Sequence, residues 1–131
     1  MRIGLTTAIV SSLALTACGD SDSTGRTTSS SPATALREVR ETRDALTQAL
    51  ATYKDGDKAG AREQVAEAYV AHFEEVEEPL GRKNHELMEE LEHAISDELR
   101  ADMKAGKPAA AIEAEVKAIV ADLDKAEAAL Q

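Results

Sequence analysis

The sequence predicts an all-α protein: an up-down-up-down four-helix bundle that follows a leader and a flexible tether. Three observations predict it. From Pro32 onward the composition turns to Ala, Leu, Glu, Lys and Arg, all good helix formers, and aromatic residues make up only 2% of the chain. Three punctuation points cut this region into four pieces of similar length: Asp55-Gly56-Asp57, Pro79-Leu80-Gly81 running to Asn84, and Ala105-Gly106-Lys107-Pro108. Glycine suits the end of a helix and proline the first turn of the next. Each piece also carries a hydrophobic rhythm that one helix cannot bury alone, and short connections favour antiparallel neighbours.

Residues 1–17 read as a secretory signal. Arg2 supplies a positive start, Ile3 to Leu15 an apolar stretch, and Thr16-Ala17 the small residues at a cut. The stretch is too short for a permanent membrane span. Leu15-Thr16-Ala17-Cys18 looks like a bacterial lipobox, so Cys18 is expected to carry the lipid. Two or more acyl chains hold a protein stably on a membrane, where one gives marginal binding. The expected place is the bacterial cell envelope, lipid-anchored and facing the periplasm or the cell exterior. The competing reading is a soluble protein with a stray cysteine. Residues 18–31 form the lipidated cysteine and a Ser/Thr/Gly/Asp tether with nothing to bury, reaching roughly 20 Å on flexible-coil scaling.

Helices are expected over about 33–54, 58–79, 84–105 and 108–130, with Ser31-Pro32, Asp57 and Asn84 as N-caps. Helix 1 reads Leu36, Val39, Arg43, Leu46, Leu50 and Tyr53. Helix 2 reads Val65, Tyr69, Phe73 or His72, Val76 and Leu80. Helix 3 reads Leu87 or Met88, Leu91, Ile95, Leu99 and Met103, and helix 4 reads Ile112, Val116, Ile119, Leu123, Ala126 and Leu130. A three-helix hairpin with a detached fourth helix is the lesser architecture.

Composition removes several functions. The formal net charge is −10, and cleavage before Cys18 would delete Arg2 and make it more negative by one. A nucleic-acid binder needs a basic surface. An acidic one favours metal ions or a basic protein face. The single cysteine excludes an internal disulfide, a Cys-ligated zinc, an iron–sulfur cluster and a Cys-x-x-Cys-His haem attachment. The chain has no nucleophile elbow, no nucleotide-binding phosphate loop and no His-Glu-x-x-His, so it is not expected to be an enzyme.

An acidic run surrounds the turn between helices 2 and 3. With Tyr69 at the centre of helix 2's buried stripe, Glu77 falls about 80° to one side and His72 about 60° to the other, while Glu74, Glu75 and Glu78 point outward. On helix 3, Glu92 lies at the stripe's edge, and Glu86, Glu90 and His93 face solvent. Glu77 and Glu92, with His72, are therefore the expected seam ligands. Carboxylates and imidazoles on facing helices build metal sites in bundles, and oxygen-rich sets suit hard cations, ferric iron among them. The alternative is that such glutamates are solvated or paired with Lys and Arg. Arg43 interrupts helix 1's rhythm and needs an anion if buried, for which Glu77 or Glu92 could serve. His72-x-x-Glu75 and Glu90-x-x-His93 lie equidistant from the intervening turn, but only one has the Glu-x-x-His order that di-iron bundles use twice. His85 reads as a surface residue.

The stretch from Ala66 through Tyr69, His72, Phe73, Glu74 and Glu77 to Leu80 carries a resemblance. Together with Leu87 to Glu92, Leu99-Arg100 and Gly106, it resembles the extracytoplasmic N-terminal domain of bacterial Ftr-type iron permeases. An Ala-Tyr pair precedes Phe-Glu-x-x-Glu, and a Leu-Glu pair follows on the next helix. The resemblance spans roughly residues 45–130. It implies a helical module that handles iron at an uptake system, with Tyr69, Glu74, Glu77 and Glu92 as its ligands. The permease's membrane helices have no counterpart here. The expectation is therefore an anchored lipoprotein that binds a metal, iron first, or docks on a separate permease. The alternative is an envelope interaction module with no metal, whose acidic face or helix groove meets a basic partner.

Overall fold

The computed structural model describes residues 30–131, and every regular element among them is helical. The leader and Cys18 lie outside the described residues. Helix α1 is Pro32–Lys54. Helix α2 runs over 58–83 as Lys58–Ala68, a π-helical turn Tyr69–Phe73, and Glu74–Lys83. Helix α3 runs over 85–105 as His85–His93, a second π-helical turn Ala94–Glu98, and Leu99–Ala105. Helix α4 is Ala109–Leu130. Among the described residues no helix is long and apolar enough to cross a membrane.

The expected caps form. Ser31 Oγ accepts from the Thr34 N–H at 3.1 Å, Asp57 Oδ1 from the Gly60 N–H at 2.8 Å, and Asn84 Oδ1 from the Leu87 N–H at 3.2 Å. Each satisfies one of the donors a helix start leaves open. Gly56 and Gly106 have φ of 99° and 73°, left-handed values that a Cβ would strain. One boundary differs from expectation. Pro79 does not end α2: it sits buried inside Glu74–Lys83, and the helix runs four residues further. Proline forfeits one backbone bond, to the carbonyl of Glu75, and Glu75 is exposed, where water can replace it. The break falls on Asn84 alone, extended at φ −153° and ψ 90°.

All four helices share one core. Helix α4 packs on α1, on the second half of α2 and on α3, so it is not detached. Phe73, Leu46, Leu80, Leu91, Ile95, Leu99, Met103, Ile112 and Leu123 are its largest fully buried side chains. Tyr53 is also buried, and its hydroxyl donates to the Lys107 carbonyl at 2.6 Å, tying the end of α1 to the α3–α4 turn. The buried face of α1 differs from the expected stripe. It is Ala35, Glu38, Val39, Thr42, Leu46, Ala49 and Tyr53, with Leu36 and Leu50 only partly covered. Small Ala and Thr residues let α2 approach closely, and of the expected stripe Val39, Leu46 and Tyr53 stay buried while Leu36 and Leu50 lie to one side.

The two π turns have a sequence cause. In each, a backbone N–H reaches five residues back: Glu74 to Tyr69 O, and Leu99 to Ala94 O. A π turn accommodates one residue more than an α turn. In α3 the core residues Leu87, Leu91, Ile95, Leu99 and Met103 are spaced by four throughout, which drifts about 40° per step in an α-helix. One extra residue takes back most of that drift. In α2 the core steps from Ala68 to Phe73, five residues, across the π turn.

Candidate functional site

The π turn of α2 redirects the acidic residues that follow it. Tyr69 and Glu77 are eight residues apart, about 80° out of line in a regular helix. The added residue turns the distal half back by about 100°, which leaves the two within about 20° of each other. The Tyr69 hydroxyl donates to Glu77 Oε1 at 2.5 Å. Glu77 is half-buried, and so is Glu92 on α3, while Glu74 is exposed. Burial pushes the Glu77 carboxyl above the usual carboxylate range, and the charges of Glu92 and Glu74 push the same way against the Tyr69 hydrogen bond. The phenol of Tyr69 is also raised well above its ordinary value, by burial first, then by Glu77 and by the charges of Glu92 and Glu74. Among the described residues the charges that raise these two groups are those of Glu92 and Glu74, with Glu77 acting on Tyr69 as well. Tyr69, Glu74, Glu77 and Glu92 are thus brought into one electrostatic neighbourhood of oxygen donors.

That neighbourhood is a collected set, not a closed coordination shell. Among the described residues no three His, Cys, Asp or Glu side chains stand together as metal ligands do. The donor chemistry nevertheless suits one class of ligand. Carboxylates and a phenol are hard oxygen donors, appropriate to ferric iron, magnesium or calcium before soft metals.

His72 does not join this set. It lies on the α1 side, where its Nδ1 is 2.8 Å from Glu38 Oε2. Glu38 is a core residue that sequence reasoning missed, only 6% exposed. The His72 hydrogen bond, seconded by Arg37, holds its carboxyl below the usual range against its own burial. The available signal was its position: Glu38 falls three residues after Ala35 and four before Thr42, on the true buried face.

Arg43 pairs elsewhere too. Its Nη2 lies 2.5 Å from Asp124 Oδ1 and 3.0 Å from Glu127 Oε2, both on α4, and not against Glu77 or Glu92. Arg40 shares Glu127 at 2.6 Å. The reason is the register of α1: Thr42 takes the buried position, and Arg43 falls at the edge facing α4. The half-motifs also separate. Glu75 hydrogen-bonds Ser30, His93 meets Asp97 on its own helix at 3.2 Å, and His85 is exposed beside Glu89.

Between α3 and α4 runs a second acidic feature, a groove of about 370 Å³ floored by Leu99 and Ile119 and walled by Glu90, Glu98, Glu115 and Asp122. Compared with family models, curated proteins and solved structures, the chain matches none.

Proposed function

We propose that this chain is a membrane-anchored extracytoplasmic helical module that binds a hard metal cation, iron first, in support of uptake. The observation that carries the reading is the Tyr69–Glu77 pair with Glu92 and Glu74 around it: four oxygen donors, two of them raised by burial first and then by the surrounding negative charge. A bound cation would offset that charge and draw the proton from Tyr69 or Glu77. The motif resemblance to the iron-permease domain rests on the same residues. The up-down-up-down order belongs to this reading. It is supported by the short connections and by the ion pairs of α1 with α4, where Arg40 meets Glu127 and Lys54 meets Glu113. Anchoring through Cys18 and a place in the bacterial envelope rest on the leader, the lipobox-like run and the tether.

Cation binding to the folded state must raise the melting temperature by mass action. Melting of the fragment 32–131 with ferric iron, ferrous iron, zinc and calcium is therefore the test. A rise with iron that vanishes in the Glu77→Gln, Glu92→Gln double variant supports the proposal, and flat melting with every metal defeats it. A second reading, docking on a permease or another basic envelope protein without metal, is favoured by the acidic groove between α3 and α4.

A further inference from the structure

The geometry points to a second, softer metal site: a divalent transition cation held at the α1–α2 seam by His72 Nε2, the Gln64 amide oxygen and the Glu67 carboxylate. It uses none of the residues of the proposed iron site.

Four observations converge on it. The first is the ring. Glu38 is buried, and its carboxylate accepts from Nδ1 of His72 at 2.8 Å. A carboxylate has only acceptors to offer, so Nδ1 carries a proton, which leaves Nε2 as the ring nitrogen that can ligate. This is the support that metal-bound histidines receive: a carboxylate on one nitrogen, the other free to ligate. Among the described residues Nε2 has no hydrogen-bond partner. The second is Gln64, whose Oε1 is buried with no partner among the described residues. The third is the space. His72, Gln64, Glu67 and Gln48 line one open surface pocket of about 150 Å³, otherwise walled by alanines, with Glu67 and Gln48 exposed. That holds a cation with one or two waters. The fourth is the backbone. The π turn Tyr69–Phe73 shifts His72 by one residue, so it stands above Glu67 and Ala68, on the side of Gln64, one further turn down.

The donors select the metal. Imidazole nitrogen suits zinc, nickel and copper, while magnesium and calcium take oxygen donors. Three protein donors with water completing the shell is an open-site arrangement. The surface pairs His85–Glu89 and His93–Asp97 are the competing places for such a metal, since both are exposed and lack a buried carboxylate behind the ring.

The test is zinc chloride titrated into the full chain near pH 7.5, with the three imidazoles followed by nitrogen-edited NMR. The expected result is a saturable change at His72 Nε2 in the unaltered protein. It should persist in a His85→Gln, His93→Gln double variant and in Glu77→Gln, which separates this site from the iron site. Glu38→Gln removes the support behind the ring and should weaken zinc binding about 10- to 100-fold. Gln64→Leu should weaken it as well. The proposal is overturned if zinc perturbs only His85 and His93, if no imidazole responds, or if Glu38→Gln and Gln64→Leu both bind as the parent does.

Discussion

Removing Val70 is the sharpest test of how α2 is built. Val70 sits in the π turn and is the one large hydrophobic among the described residues that lies exposed, at 62%. In a regular helix a deletion rotates everything beyond it by about 100°. Here that would carry Phe73, Val76 and Leu80, all fully buried, out of the core. At about 1.5–3 kcal/mol per side chain the loss would be roughly 5–9 kcal/mol, as large as the whole stability of many domains. If the π turn holds one residue in excess, deletion instead relaxes it to an α turn. The step from Ala68 to Phe73 becomes four, and the distal half keeps its face. The expected cost is then below about 1 kcal/mol, the range of a neutral surface change. Deleting Asp44 from the unbroken helix α1 is the control, since Leu46, Ala49 and Tyr53 must then turn out of the core. Urea denaturation of the fragment 32–131, followed by circular dichroism, measures both. Equal destabilisation by the two deletions would refute the reasoning.

Two further outcomes follow from the charges. The raised Glu77 carboxyl binds its proton more tightly in the folded state, so its contribution to stability falls as pH rises above 4.5 and levels off past the raised value. Glu77→Gln should remove that descending limb and stabilise the metal-free protein near neutrality. Urea midpoints between about pH 4 and pH 8 read this, and parallel curves for parent and variant would count against it. Arg43→Met should cost less than about 1 kcal/mol, because its pairs with Asp124 and Glu127 are partly solvated and Arg40 still holds Glu127. It should also leave iron binding unchanged. A variant with altered iron affinity would return Arg43 to the neighbourhood of Glu77.

Helix content, the N-caps Ser31, Asp57 and Asn84, and the helix ends at Gly56 and Gly106 were legible because each is a local rule with a local residue signal, whereas Gly81 lies inside α2. What was missed depends on tertiary packing. The α1 stripe was traced through its largest side chains, yet the structure buries Ala35, Thr42 and Ala49, because close helix approach selects small residues that a hydrophobicity pattern underweights. That shift of face hid Glu38 and misplaced Arg43. Pro79 looked like a terminator because one forfeited hydrogen bond is cheap only where the freed carbonyl meets water, and a sequence does not display that. The π turns were legible in principle. The unbroken spacing of four from Leu87 to Met103 fits no α-helix for so long, and the choice between His72 and Phe73 on helix 2 was the same inserted residue seen as an ambiguity. Glu77 and Glu92 were picked out by angle. The π turn then improved the fit of Glu77 to Tyr69, and turned His72 toward α1.

The central claim is that the oxygen donors beside Tyr69 receive a cation. Ferric iron bound by a phenolate absorbs visible light, so a ferric titration of the full chain reads the claim at one residue. The account predicts a saturable visible band at one iron per chain, lost in Tyr69→Phe and in Glu77→Gln. The band should survive in Tyr53→Phe, whose hydroxyl is committed to the Lys107 carbonyl. A titration without such a band, or one that survives Tyr69→Phe unchanged, would contradict it.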